Sequence, residues 1–288
     1  MKSVMVDNWF LQEVCEDRYI SKNSQFENYG KLLSAIILWD EIYYPYNEMS
    51  KAWNFFHFFD FEGVLKPYDD SEHIFENLAE EIYANEYKSK GENSVVAGGA
   101  IRYLLMSNKF GVDYFPSDER SMFLQKHGMG DICNKLTRLD YLKPIDRQIN
   151  EYFTELNDKL GKIVFTIKRP VLVDFIIQNA PKNMSYVEYA LHLRQEGWVV
   201  QYRNYLDDIE RALQNNEWKA LGEMLKYSDS IVSHIINVDK KSIASINFKI
   251  APIPSLSISK SLDISKNKVQ LSFLENLAKF ALSGRRYE

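Results

Sequence analysis

Residues 199–213 read VVQYRNYLDDIERAL, and this stretch carries the pattern that decides the fold class. Its apolar residues follow one another at steps of three, four, three and four positions, the period of an α-helix with one apolar face. Such a face has to pack against another helix, within the chain or on a partner, and we favour the chain itself. The stripe consists of Val199, Tyr202, Leu206, Ile209 and Leu213. We expect its last four members to be buried, with Asp208 and Arg211 exposed.

Helical signals recur along most of the chain. Ser185 and Glu188 form an S-x-x-E capping box at the start of a helix. Gly111 is suited to end a helix that begins near Ser94, because glycine readily adopts the left-handed conformation of a helix C-terminus. Further helices are predicted at 71–90, 116–127, 145–160, 170–179, 217–238 and 269–282. In the first of these, Ile74, Leu78 and Ile82 form the apolar stripe.

Extended structure has fewer signals. Residues 32–39 are strongly apolar and predict a buried helix, followed by an extended segment before Pro45. Apolar residues alternate around 246–258, which favours two short strands, either separate or paired as a hairpin. The predicted fold is therefore mainly α, a multi-helix bundle with a small β element near 243–260 and a C-terminal helix. The weak boundary signal Pro181-Lys182-Asn183 divides the chain into a helical region, 1–180, and a second helical region with the β element, 181–288; a single domain is the alternative.

Composition and charge limit the classes of function. The chain has 288 residues, of which 45% are apolar and 26% charged, which is typical of a globular protein of one or two domains. The net charge is −5, but residues 231–288 hold nine Lys and Arg against four Asp and Glu. This tail carries +5 and the other residues −10, so we expect generic nucleic acid to be repelled rather than bound. Ordinary solvated surface, an internal contact of the tail with the acidic body, and an anionic partner all fit this asymmetry.

Cysteine content and hydropathy exclude other classes. Cys15 and Cys133 form no C-x-x-C pair, which excludes a sulfur-based zinc or redox motif. The N-terminus lacks the apolar core of a secretory signal, and no stretch reaches the roughly 18–20 apolar residues that span a bilayer. We therefore predict a cytoplasmic protein without membrane association. No nucleotide-binding or serine-hydrolase motif is present, so the sequence leaves catalysis undecided and indicates no cofactor.

Acidic and histidine residues are densest between positions 57 and 73. Carboxylates and imidazoles bind divalent metals, but their spacing here fits no standard ligand motif. The alternative is an aromatic loop whose acidic side chains point into water. The candidate metal ligands are His57, Asp60, Glu62, Asp69 and His73.

Basic residues of the C-terminal half are the candidates for anion binding. Arg203, Asp207 and Arg211 follow at steps of four and can pair, so internal helix-to-helix ion pairs are the simpler interpretation of the arginines. Gly98-Gly99 is interpreted as a point of close helix packing. The candidate anion-binding residues are Arg194, Arg203, Lys240, Lys241, Lys266 and Lys268.

Three classes of function remain after this reading. The first is a soluble cytosolic helical protein that acts through a protein partner or by self-association, supported by the 199–213 stripe and the lack of a complete catalytic motif. The second is a metal-dependent hydrolase or nuclease that uses the 57–73 residues. The third is anion or nucleic-acid binding through the basic C-terminal region.

Overall fold

A computed structural model of the chain describes residues 2–10, 23–45, 63–68, 73–129, 138–160, 169–247 and 271–283. The chain divides into two compact units, Met1–Thr137 and Arg138–Glu288. The architecture is mainly α, with a small sheet and a C-terminal helix, which confirms the predicted fold class. The boundary signal at 181–183 lies between two helices of the second unit.

The first unit contains a parallel sheet of four short strands, in the order β3-β2-β1-β4. The central strand β1 has neighbours on both sides, and its residues Val4, Met5 and Val6 are almost completely buried. A strand covered on both faces appears in the sequence as a continuous apolar run rather than an alternation. The strands are β1 (Ser3–Val6), β2 (Glu41–Pro45), β3 (Leu65–Tyr68) and β4 (Asp113–Phe115).

Four helices accompany this sheet in the described part of the first unit. The helix before β2 and the extended segment before Pro45 are as predicted. Asn93 accepts hydrogen bonds from the amides of Val95 and Val96 and so caps α3, while Gly111, at φ 64°, ends it as predicted. The helices are α1 (Asn23–Leu38), α2 (Ile74–Ile82), α3 (Ser94–Phe110) and α4 (Asp118–Lys126), and α2 continues as a π-helical turn, Tyr83–Tyr87.

The apolar stripe predicted for α2 is buried only in part. Ile74 and Leu78 are 54% and 41% exposed, whereas Ala79 is buried and Phe75 and Ile82 pack partly against the core. The reason is that α2 lies against α3, whose own small residues allow a close approach on the Ala79 side. The face of α2 that packs against the core is thus rotated relative to the apolar stripe predicted from the sequence.

The regular secondary structure of the second unit is helical in its described residues. The predicted capping box is present, since Ser185 Oγ accepts from the Glu188 amide and Glu188 Oε2 accepts from the Ser185 amide. The helices are α5 (Lys143–Leu160), α6 (Val171–Asn179), α7 (Tyr186–Leu193), α8 (Gly197–Gln214), α9 (Trp218–Asn247) and α10 (Ser272–Ser283). None of the helices in the described ranges is both long and apolar enough to cross a membrane.

The β element predicted near 243–260 is described only at its start, where the structure is helical. Residues 243–247 belong to the last turns of α9, which extends beyond the predicted end at 238. Residues 248–260 lie outside the described residues. The strands of the described sheet are instead in the first unit.

The apolar stripe of α8 is core of the second unit. Tyr202, Leu206 and Ile209 are at most 1% exposed, and the Tyr202 ring stacks on Phe273 of α10 at 4.4 Å between centroids. Leu213 is half-buried. The expectation of packing within the chain is therefore confirmed for the centre of the stripe. Arg211 is exposed as predicted, and Asp208 is half-buried.

The ion pairs predicted along α8 are replaced by others. Arg138 is completely buried and pairs with Asp207 and Glu210, so Asp207 is engaged by an arginine of another segment. Arg211 pairs with Asp208 at 2.9 Å. Burial lowers the pKa of Arg138, but the two carboxylates outweigh it and the pKa is raised, so the group stays charged.

Truncation of the centre of the α8 stripe should destabilise the protein. Ile209→Ala removes a fully buried side chain and is expected to cost about 2–5 kcal/mol of unfolding free energy. Leu213→Ala, on the same helix but half-buried, is the matched control and should cost less. Urea unfolding measures both, and equal midpoints for Ile209→Ala and the unaltered chain would contradict the core assignment.

A partly buried carboxylate joins α5 to α6. Asp146 Oδ1 accepts a hydrogen bond of 2.8 Å from the amide of Val171, the first residue of α6. Burial raises the pKa of Asp146 to about 6, the hydrogen bond opposes this, and the nearby Asp174 adds to the rise. A carboxyl with a raised pKa in the folded state favours folding when protonated. Its contribution is complete below its unfolded value of about 4 and is lost as pH rises through about 6.

Asp146→Asn should remove this pH dependence. The amide oxygen of Asn can still accept from Val171, while the buried negative charge is gone. We expect the variant to be more stable than the unaltered chain by about 1–3 kcal/mol at pH 7.5, with the difference disappearing near pH 4. Thermal unfolding from pH 4 to 8 measures this, with the exposed Asp158→Asn on the same helix as control. A constant difference across the range would contradict the assignment.

Candidate functional site

Asp7 lies directly after β1 and is the most highly coordinated buried acid of the first unit. Its Oδ1 accepts from the Phe10 amide at 2.8 Å, and its Oδ2 accepts from Tyr114 Oη at 2.8 Å and from the Ser117 amide at 2.9 Å. Burial, with the adjacent charge of Asp7, raises the pKa of Tyr114 well above its usual range, so that this hydroxyl remains a donor. Asp7 thus joins the carboxyl end of β1 to the segment that follows β4.

Arg120 of α4 neutralises this carboxylate. The side chain is 3% exposed, and its Nη1 lies 3.3 Å from Asp7 Oδ1 and donates to Asn8 Oδ1 at 2.7 Å. Burial lowers the pKa of Arg120, but Asp7 outweighs this and the pKa is raised. The guanidinium is therefore a fixed positive charge at the carboxyl edge of the sheet.

Two aromatic rings and a glycine fix the plane of this guanidinium. Its Cζ lies 4.5 Å from the ring centroid of Trp9 and 5.2 Å from that of Tyr103. A Cβ at Gly99 would approach Arg120 Nη2, Cζ and Nε to 2.4, 2.5 and 2.6 Å, which is sterically excluded. Close packing at Gly98-Gly99 was predicted between helices; Gly99 instead accommodates an arginine side chain, and Gly98 faces open space.

One edge of the Arg120 guanidinium has no acceptor in the described part of the chain. The polar contacts of the side chain with described residues all use Nη1, and Nε is buried without a hydrogen-bond partner among them. Nε and Nη2 form the side of a guanidinium that binds a carboxylate through two parallel hydrogen bonds. A buried donor without an acceptor is uncommon and is a reason to look for a ligand.

A cleft of about 350 Å³ adjoins this arginine. Asn8, Trp9 and Arg120 line it at the carboxyl end of the sheet, and the first turns of α3 line it through Gly98 and Gly99. Its other lining side chains come from α2, the turn after it, and α3, namely Glu76, Ala79, Glu80, Tyr83, Ser94, Val95, Arg102 and Tyr103. The volume is within the range of small-molecule sites, about 300–1,000 Å³.

The strand order explains the position of the cleft. β2 and β3 lie on one side of β1, and β4 lies on the other side. The strand order therefore reverses between β1 and β4. In open parallel sheets, ligands bind outside the carboxyl ends of the strands at such a reversal. Asp7, Asn8 and Arg120 are located there.

Of the five predicted metal ligands, His73 is within the described residues. His57, Asp60, Glu62 and Asp69 lie outside the described residues. His73 is exposed, precedes α2 in a left-handed conformation at φ 52°, and its Nδ1 is 2.7 Å from Glu76 Oε2. Within the described ranges, no three His, Cys, Asp or Glu side chains come together as a metal site.

The predicted anion-binding residues are separately engaged where they are described. Arg203 Nη1 donates to the carbonyl oxygen of Arg194 at 2.9 Å, which brings these two residues together. Lys240 pairs with Glu155 at 2.7 Å. The side chain of Lys241 and residues Lys266 and Lys268 lie outside the described set.

Comparison with protein-family models, curated proteins and solved structures finds no match to this chain. The candidate site therefore rests on its geometry alone. Sequence reasoning did not select Asp7, Asn8, Trp9 or Arg120, since they are far apart in the chain and form no local motif. The Gly98-Gly99 pair was the one signal in the cleft that could be read from the sequence.

The two glycines allow a matched test of the Arg120 environment. Gly99→Ala should displace the guanidinium from Asp7 and destabilise the fold by about 1–3 kcal/mol, because a buried charge loses its partner. Gly98→Ala, one residue earlier and facing open space, should instead stabilise the helix by up to about 1 kcal/mol. Chemical unfolding measures both. Equal effects of the two substitutions would contradict the close contact of Gly99 with Arg120.

Proposed function

We propose that the first unit binds a small organic molecule through a carboxylate or a similar oxyanion in the cleft beside Arg120. The observation that carries this proposal is the buried Nε of Arg120, which has no acceptor among the described residues and belongs to a side chain that lines the cleft. A ligand carboxylate on the Nε and Nη2 edge would supply the missing acceptor with bidentate geometry. Binding is thus the proposed activity, and no reaction is included in it.

Rigidity of the arginine supports the proposal. An arginine on a surface loses side-chain freedom when it binds an anion, which reduces the affinity. Here Asp7, Asn8, Trp9 and Tyr103 already hold the guanidinium in one orientation. The entropic cost of ordering the side chain therefore falls on folding and not on binding.

The location of the arginine within the molecule also supports the proposal. Arg102 lines the same cleft and adds a second positive charge to its wall. A protein partner, the first class of function expected from sequence, was based on the α8 stripe, whose centre is core of the second unit. The cytoplasmic location and the basic-tail site remain predictions.

Titration of the isotope-labelled full chain with simple probes tests the proposal. Benzoate and phenyl phosphate are the anionic probes, and benzyl alcohol is the uncharged control. We expect saturable NMR shifts of the Trp9 indole and the Gly98 amide with an anionic probe, at a dissociation constant of about 1 mM, as is usual for ligands of this size. Gly99→Ala should weaken this binding at least tenfold.

The control for misfolding is a spectrum of Gly99→Ala that keeps the dispersed peaks of the first unit, to which the cleft belongs. Shifts restricted to residues outside the cleft, or equal binding of benzyl alcohol, would contradict the proposal. So would unchanged affinity in Gly99→Ala, because the guanidinium edge would then have no part in binding.

A further inference from the structure

The charges around the cleft point to a more specific ligand class than a carboxylate. We infer that the cleft binds an amino-acid-type zwitterion with an apolar side chain, the carboxylate on Arg120 and the ammonium group on the glutamates of α2. This inference rests on the proposed function, since it assumes the same contact with Arg120. It adds a second contact of opposite charge and specifies the size of the ligand.

The acidic wall of the cleft comes from one helix. Glu76 and Glu80 are one turn apart on α2, so both face the same side, and both line the cleft. Glu76 is shared between His73 at 2.7 Å and Arg102 at 3.9 Å. Glu80 is exposed and makes no ion pair with the described part of the chain, so its carboxylate is available to a ligand cation.

The balance of charge around the cleft favours a ligand that carries both signs over a ligand with one sign only. Arg102 and Arg120 provide two positive groups, while Glu76, Glu80 and the underlying Asp7 provide three negative ones. A simple carboxylate is repelled by Glu80, and a simple amine is repelled by the arginines. A molecule that carries both charges a few ångströms apart is attracted at both ends.

The remaining lining groups select an apolar side chain. Trp9, Tyr83 and Tyr103 contribute aromatic surface to the cleft, next to the small residues Ala79 and Gly98. Aromatic rings give large contact areas to apolar groups and bind cations as well. A volume of about 350 Å³ accommodates one amino acid with a large side chain.

NMR titration with a matched set of probes tests the charge requirement. The zwitterions are L-phenylalanine, L-tryptophan, L-leucine and L-methionine. N-acetyl-L-phenylalanine lacks the positive charge, and L-phenylalanine amide lacks the negative one. We expect at least one zwitterion to shift the NMR signals of the Trp9 indole and the Gly98 amide saturably. If that zwitterion is L-phenylalanine, its affinity should be at least tenfold higher than that of either blocked derivative.

A substitution on the acidic wall gives the second readout. Glu80→Gln should lower the affinity for the bound zwitterion three- to tenfold and leave or raise that for N-acetyl-L-phenylalanine. Glu81→Gln is the matched control, since Glu81 is an exposed neighbour on α2 that does not line the cleft. Equal effects of the two substitutions would overturn the role of Glu80 and with it the inference.

The outcomes separate this inference from the proposed function. If anions such as benzoate bind in the cleft and all four zwitterions fail, or if N-acetyl-L-phenylalanine binds as tightly as the best of them, the zwitterion inference is wrong and the proposed function stands. If only the amide binds, both are wrong, because the ligand is then a cation. If no probe shifts the cleft residues, both are wrong as well.

Discussion

The ion pair between Asp7 and Arg120 is the contact on which the first unit depends. Taking two charges out of water costs several kcal/mol each, and their attraction offsets this best when further hydrogen bonds satisfy the buried carboxylate. Asp7 meets that condition through Phe10, Tyr114, Ser117 and Arg120 itself. These partners come from the end of β1, the strand β4 and the start of α4, so a single carboxylate fixes the edge of the sheet where the cleft lies. The constraint then extends to Gly99, because only a residue without a side chain leaves room for the guanidinium.

Most helices could be predicted from the sequence, because the signals of a helix are local. The capping box at Ser185, the C-terminal Gly111 and the stripe of α8 each depend on residues a few positions apart. The parallel sheet could not be predicted in this way. Val4 pairs with Ile42 and with Asp113, so the partners that make it a strand are far away in the chain. Strands of three to five residues that are buried on both faces also have no alternation to reveal them.

The site was missed for a related reason. Reading by motif favours residues that are dense in the sequence, and this led to the segment 57–73 as a metal site and to the basic tail as an anion site. The cleft takes its residues from the end of β1, from α2, from α3 and from α4, which are far apart in the sequence and share no motif. Only the fold brings Asn8 within 2.7 Å of Arg120, across 112 positions. The Gly98-Gly99 pair was noticed, but the sequence could not say that an arginine would fill the space.

Comparison of the two buried arginines shows why one belongs to a site and the other to the scaffold. In the second unit, Arg138 Nε donates to Glu210 Oε1 at 3.0 Å and Nη2 lies 3.5 Å from Glu210 Oε2, so a carboxylate occupies the Nε and Nη2 edge. The same edge of Arg120 has no such carboxylate, because Asp7 and Asn8 engage Nη1. Arg138 is completely buried, whereas Arg120 borders a cleft. A guanidinium whose Nε and Nη2 edge is filled by a carboxylate of the chain stabilises the fold, whereas the unfilled edge of Arg120, in a side chain that lines a cleft, is the basis of the proposed ligand contact.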